Sequence, residues 1–145
     1  MTVEKRYPLP DLLEDCFIFL IAKVYQKAHS NFKKRLQRYD LTPMRHLVLE
    51  ALLDEEGLTA GEIARRLVLD NATLSGVIDR MAKTGWIVKQ ADPGDKRAMQ
   101  IFLTPKAKEL KSPILDERRM ANEESLSPLS LEEKVFLKRL LKDLL

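Results

Sequence analysis

Residues 57–104, GLTAGEIARRLVLDNATLSGVIDRMAKTGWIVKQADPGDKRAMQIFLT, decide the fold. Thr59, Ala60, Gly61 and Glu62 make a capping box, in which the threonine hydroxyl and the glutamate carboxylate satisfy amides left unpaired at a helix start. A helix is therefore expected from about Ala60, with Ile63, Ala64 and Leu67 on one face and Arg65 and Arg66 pointing away. It is too short to stand without a second helix to pack on. Asp70 is a good N-cap for that second helix, Leu74, Val77, Ile78 and Met81 form its inward stripe, and Gly85 supplies a left-handed stop. With only Val68, Leu69 and Asp70 between them, the two helices read as a helix-turn-helix, whose second helix can enter a DNA major groove.

The outward residues of the second helix are Asn71, Ala72, Thr73, Ser75 and Gly76, followed by Asp79, Arg80 and Lys83. Small residues let a helix sit deep in the groove, Asn, Thr and Ser can hydrogen-bond base edges, and Arg80 and Lys83 can reach phosphates or support the adjoining hairpin. Taken alone, the same pattern also describes an ordinary solvated helix face. The next stretch separates the two. Two strand-like runs, Trp86 to Gln90 and Met99 to Leu103, flank Asp92, Pro93, Gly94, Asp95, Lys96 and Arg97, and Pro-Gly between such runs marks a turn. A hairpin directly after a recognition helix is a wing, and a tip carrying Lys96 and Arg97 can reach phosphates or a narrow minor groove. Asp95 is expected to pair with Arg97 and brace the loop.

At these residues the chain resembles the MarR family of winged helix-turn-helix regulators. The likeness lies in DPGDKRAMQIFLTPKA, similar to that family's wing signature, and is supported by LTPMRHLVLEAL from Leu41 and TLSGVIDRMAKTGWI from Thr73 in the same order and spacing. Gly94, Arg45, Gly76 and Ala107 depart from the residues frequent there. The resemblance implies a homodimer held by the terminal helices, sitting on a pseudo-palindromic stretch of double-stranded DNA. It also implies a cleft between the dimerisation helices and the DNA-binding lobe, taking small aromatic acids or phenolic compounds. In this chain that cleft would be approached by Phe17, Ile21 and Tyr25 and by Met44, Arg45 and His46, with Arg45 able to pair a carboxylate in a bidentate fork. The plainer alternative is that these side chains only pack one helix on the next. Some relatives sense peroxide through a cysteine in the first helix, but the register places that position near Ile18 rather than Cys16, and such a shift turns a side chain by about 200° on a helix.

Outside the central stretch the chain reads as long helices. Asp11 to about Tyr39 is expected as one helix, with Cys16 inside it, and its first half is apolar nearly all round through Phe17, Ile18, Phe19, Leu20, Ile21, Val24 and Tyr25. Burial on more than one side is implied, as in a helix between subunits. Thr42 caps and Pro43 opens the next helix, which carries Leu47, Val48, Ala51 and Leu52 inward. After the wing, Thr104 and Pro105 open a helix to about Leu126, bent near Pro113, and Ser130 with Glu133 opens a last helix whose Leu137, Leu140, Leu141 and Leu144 are expected to be packed. The fold class is thus mainly α with a small β-hairpin wing. Residues 1–145 form one domain, in which 11–39 and 105–145 are dimerisation helices and 42–104 the DNA-binding lobe.

The chain of 145 residues is 45% hydrophobic and 32% charged, which argues against disorder, and its net charge of +3 permits nucleic acid without demanding it. The apolar run Cys16 to Ala22 is far short of the roughly 20 residues that span a bilayer, and no secretory signal is visible, so a cytoplasmic protein with no membrane partner is expected. A lone cysteine agrees with a reducing compartment. No phosphate-binding glycine loop, HExxH or nucleophile elbow occurs, and His29, His46 and Cys16 lack zinc-ligand spacing, so no catalysis, metal or cofactor is expected. The expected function is a dimeric, sequence-specific DNA-binding regulator, a repressor released by a small aromatic or phenolic ligand. The alternatives are a ligand-independent architectural or interaction module and a thiol sensor acting through Cys16.

Overall fold

The computed structural model describes residues 9–145. Its helices are α1 (Phe17–Leu36), α2 (Pro43–Asp54), α3 (Ala60–Leu67), α4 (Asn71–Lys83), α5 (Pro105–Glu109), α6 (Lys111–Ser125) and α7 (Leu131–Asp143). The strands β1 (Leu58–Thr59), β2 (Ile87–Ala91) and β3 (Met99–Leu103) form one antiparallel sheet in the order β1-β3-β2.

The helix-turn-helix forms where the caps place it. Thr59 and Glu62 close both halves of the capping box of α3, and Asp70 caps α4 by accepting the Thr73 N–H. Between them the chain reverses through Val68 at φ 55, a left-handed conformation that a β-branched residue rarely adopts. It is held there by the Leu69 N–H to Ala64 O bond of 2.9 Å. Gly85, at φ +81, ends α4 as expected, and β2 then pairs with β3 in the register Ile87↔Leu103 to Ala91↔Met99. The core lies in this lobe: Val48, Leu52, Ile63, Leu74, Met81, Trp86 and Ile101 are fully buried, joined by Leu36 from the end of α1.

The flanks differ from the sequence reading in four respects. The first helix does not start at Asp11, because Asp11–Leu13 closes as a 3-10 turn and Cys16 is extended at the N-cap of α1. It also stops at Leu36, where a second 3-10 turn and a left-handed Asp40 swing the chain so that both Leu36 and Leu41 enter the core. The buried arc of α2 is His46, Val48, Leu49, Ala51 and Leu52, whereas Leu47 is 38% exposed. That arc is wide because α3, α4 and β3 all pack on the helix. The helix after the wing is two helices, broken at Leu110, since Pro113 has no N–H to bond residue 109 and its ring would meet that carbonyl. The last helix, α7, forms with its own capping box and buries none of its residues within this one chain, so Phe136, Leu140 and Leu141, with Leu144 just beyond it, are exposed. The two-residue β1 is an addition, too short for any periodicity to reveal.

α1 is fastened to α6 through Glu117, a buried carboxylate whose two oxygens lie 3.3 Å from Arg35 and 3.3 Å from Arg38. Arg35 also reaches Glu124 at 2.8 Å.

Candidate nucleic-acid interface

The outward face of α4 carries Asn71, Ala72, Thr73, Ser75, Gly76, Arg80 and Lys83, all exposed. The Asp70 carboxylate accepts both the Thr73 N–H at 2.8 Å and the Thr73 hydroxyl at 2.7 Å. These bonds favour the ionised form and hold the Asp70 pKa below its ordinary value. The Thr73 hydroxyl proton is therefore committed to the cap, and toward a base the oxygen offers only lone pairs. Gly76 has nothing within 4 Å of where a Cβ would stand, so packing within the chain does not call for a glycine there.

Asp79 lies on the same exposed helix and pairs with Lys89 on β2. That bond and its charge lower the Asp79 pKa. It also straps the recognition helix to the wing. Lys89 carries no sequence signal for this role, because its partner lies across a strand-helix junction rather than at helical or strand spacing. By contrast, Arg80, Lys83, Lys96 and Arg97 form no ion pair with another described residue.

At the wing tip both aspartates serve the backbone. Asp92 Oδ1 accepts the Gly94 N–H at 2.8 Å and Asp95 Oδ1 accepts the Arg97 N–H at 3.0 Å. The expected ion pair between Asp95 and the Arg97 guanidinium is not formed, because a short aspartate reaches the amide two residues on more readily than a long side chain's end. Asp95 thus fixes the course of Arg97 and leaves its guanidinium free. At the other end of the hairpin, the Thr104 hydroxyl donates to Gly85 O at 2.7 Å and caps α5 through the Ala107 N–H at 3.3 Å. Lys106 Nζ lies 4.4 Å above the buried Trp86 ring and 3.3 Å from Thr84 O. The end of α4 and the start of α5 are therefore tied together.

The six effector-cleft candidates are not brought to one place within the chain. Phe17, Ile21 and Tyr25 lie on the exposed side of α1, and the Tyr25 ring lies 5.3 Å from that of His29, tilted by 38°. Met44 and Arg45 are half-buried in the first turn of α2, where Arg45 donates to Asp40 O at 3.2 Å and lines a cavity of about 190 Å³ with Lys33 and Thr42. His46 is 1% exposed, its ring edge-on to Phe32 at 4.8 Å, so it belongs to the core and not to an open cleft. Burial, and then the charge of Arg118, push its pKa down to about 4, so it is neutral near pH 7. Cys16 is half-buried and makes no capping bond.

Among the described residues no helix is long and apolar enough to cross a membrane. Residues 39–98 match a family model described as the MarR family. The chain is 32% identical over 117 residues to the HTH-type transcriptional regulator SarZ of Staphylococcus aureus, covering 80% of this chain and 75% of that one. A mutant MarR from E. coli complexed with operator DNA superposes with a TM-score of 0.84 at 25% identity, over 94% of this chain and 99% of that chain. BpsR of Bordetella bronchiseptica, whose structure concerns regulation of DNA binding by 6-hydroxynicotinic acid, shares the fold with a TM-score of 0.85 at 24% identity, over 95% of this chain and 97% of that chain.

Proposed function

The chain belongs to the MarR family of transcription regulators, DNA-binding proteins and not enzymes, and on that premise we propose that it acts in the cytoplasm as a homodimeric repressor on a pseudo-palindromic operator. The observation that carries this reading is the set of Arg80, Lys83, Lys96 and Arg97, exposed and unspent in ion pairs, beside a lobe whose own core is complete. In the proposal residues 42–104 carry the DNA contacts, and residues 11–39 and 105–145 pair with the same segments of a second copy. Asn71, Thr73 and Ser75 read base edges, with Thr73 acting as acceptor, while Ala72 and Gly76 keep the helix low in the groove. Arg80 and Lys83 take phosphates, and Lys96 and Arg97 reach the minor groove from a tip braced by Asp95.

We extend the proposal to a small aromatic acid as releasing ligand, a chemistry supported by the regulation of BpsR by 6-hydroxynicotinic acid. Within one chain Phe17, Ile21 and Tyr25 are exposed, and Arg45 is the one Lys or Arg on α2, a cation able to hold a carboxylate. A ligand that favours a dimer with wrongly spaced recognition helices shifts the population away from the DNA-competent form. A preference of about 1 to 3 kcal/mol weakens operator binding by roughly 5- to 150-fold.

The test is a footprint on the duplex that the wild type selects from a random-sequence pool. Two protected patches about one helical turn apart are expected, related by a two-fold axis. Aromatic acids that raise the melting temperature should release that duplex from the wild type and not from Arg45→Ala. A single unsymmetrical patch would remove the operator reading, and release unchanged in Arg45→Ala would remove Arg45 from the ligand site.

A further inference from the structure

β1 is too short to pair along the whole of β3. Gly57 donates its N–H to Ile101 O at 2.9 Å, and Leu58 and Thr59 pair with Ile101 and Gln100. In an antiparallel ladder alternate residues point their N–H and C=O to the same neighbour, so Leu103 turns its N–H toward the side that Ile101 faces. No backbone of β1 reaches it there, because Gly57, at φ +81, turns the chain away toward α2. The gap is filled by a side chain. Glu56 Oε1 accepts the Leu103 N–H at 2.8 Å, and Glu56 Oε2 lies 3.3 Å from Lys108 Nζ on α5.

Leu103 is the last residue of β3, at the base of the wing, and Lys96 and Arg97 are at the far end of the hairpin. A strand of five residues spans roughly 17 Å, so a small rotation at the base moves the tip by a larger distance. We propose that Glu56 is a positioning residue for DNA binding: its carboxylate continues the β1–β3 ladder where β1 stops, and so sets the angle at which the wing presents Lys96 and Arg97. The proposal rests on the reading of the wing as a DNA contact, and the experiment separates the two.

Affinity for the duplex selected by the wild type is measured for Glu56→Ala, Glu56→Gln, Arg97→Ala and the double variant Glu56→Ala/Arg97→Ala, well below each melting temperature. Glu56→Ala should bind about tenfold more weakly, within the loss expected for removing Arg97 itself, because it acts only through the cations at the wing tip. Glu56→Gln keeps an oxygen for the Leu103 N–H and loses only an exposed ion pair, so it should stay within about threefold of wild type. In the Arg97→Ala background Glu56→Ala should cost less than about twofold, because the group it positions is gone. Exchange of the Leu103 amide should quicken in Glu56→Ala and not in Glu56→Gln. Wild-type affinity in Glu56→Ala, or the same tenfold loss with and without Arg97, would overturn the proposal while leaving the wing reading intact. Wild-type affinity in Arg97→Ala would overturn both.

Discussion

The helix-turn-helix lobe and the helical arms are built from similar shares of apolar residues, yet the lobe closes over most of its large ones and the arms leave most of theirs open. In the lobe Leu74, Met81 and Trp86 are fully buried, and each helix start there is capped by a side chain. In the arms α7 buries nothing, and Phe17, Ile18, Val24 and Tyr25 of α1 are each more than half exposed. Exposed apolar side chains at this density on two helices are what an interaction face leaves open in a single chain. A stripe at helical spacing tells which residues face a partner element, but not whether that element belongs to the same chain.

The sharpest way to break the comparison is in the lobe's centre. Trp86→Ala should destabilise the protein by about 3 to 5 kcal/mol, read from chemical denaturation, because it empties the largest fully buried side-chain volume. A loss below about 1 kcal/mol would mean that the lobe is not the stable unit. Next is pH. His46 has a folded-state pKa of about 4 against an ordinary value of 6.5, so the unfolded chain binds its proton first. The stability that His46 contributes is present above pH 6.5 and is lost as pH falls from 6.5 to 4, by about 3 kcal/mol in full. The difference in stability between wild type and His46→Asn should carry that slope, and a difference flat from pH 7 to 4 would place His46 outside the core.

On DNA the expected effects are smaller. Arg97→Ala should weaken operator binding by about 1 to 3 kcal/mol, and Lys83→Ala should weaken all sequences alike while reducing the salt slope by about one. A sequence-dependent loss at Lys83 with an unchanged salt slope would move that residue from phosphate to base.

How much of the fold is legible in the sequence depends on the range over which each signal acts. Capping boxes at Thr59/Glu62 and Ser130/Glu133, the N-cap Asp70 and the stop at Gly85 act within a turn or two, and each element begins or ends there. Partners distant along the chain are not legible: the Asp79–Lys89 strap, the Glu117 pairing with Arg35 and Arg38, and the bond from Glu56 to Leu103 join residues at no regular spacing. Asp95 shows the intermediate case. Its role in shaping the wing tip is readable, but the atom it holds is the Arg97 amide rather than the guanidinium. The same limit applies to His46, whose helical position suits either a cleft or the core, and only the Phe32 ring packed against it decides.

The claim that the arms are closed by a second copy is tested most directly by sedimentation equilibrium at low micromolar concentration. The wild type should sediment as a dimer, and Leu140→Glu, which puts a charge on the exposed face of α7, should lose dimer and folded yield together. A wild type that sediments as a stable, fully folded monomer would contradict the account.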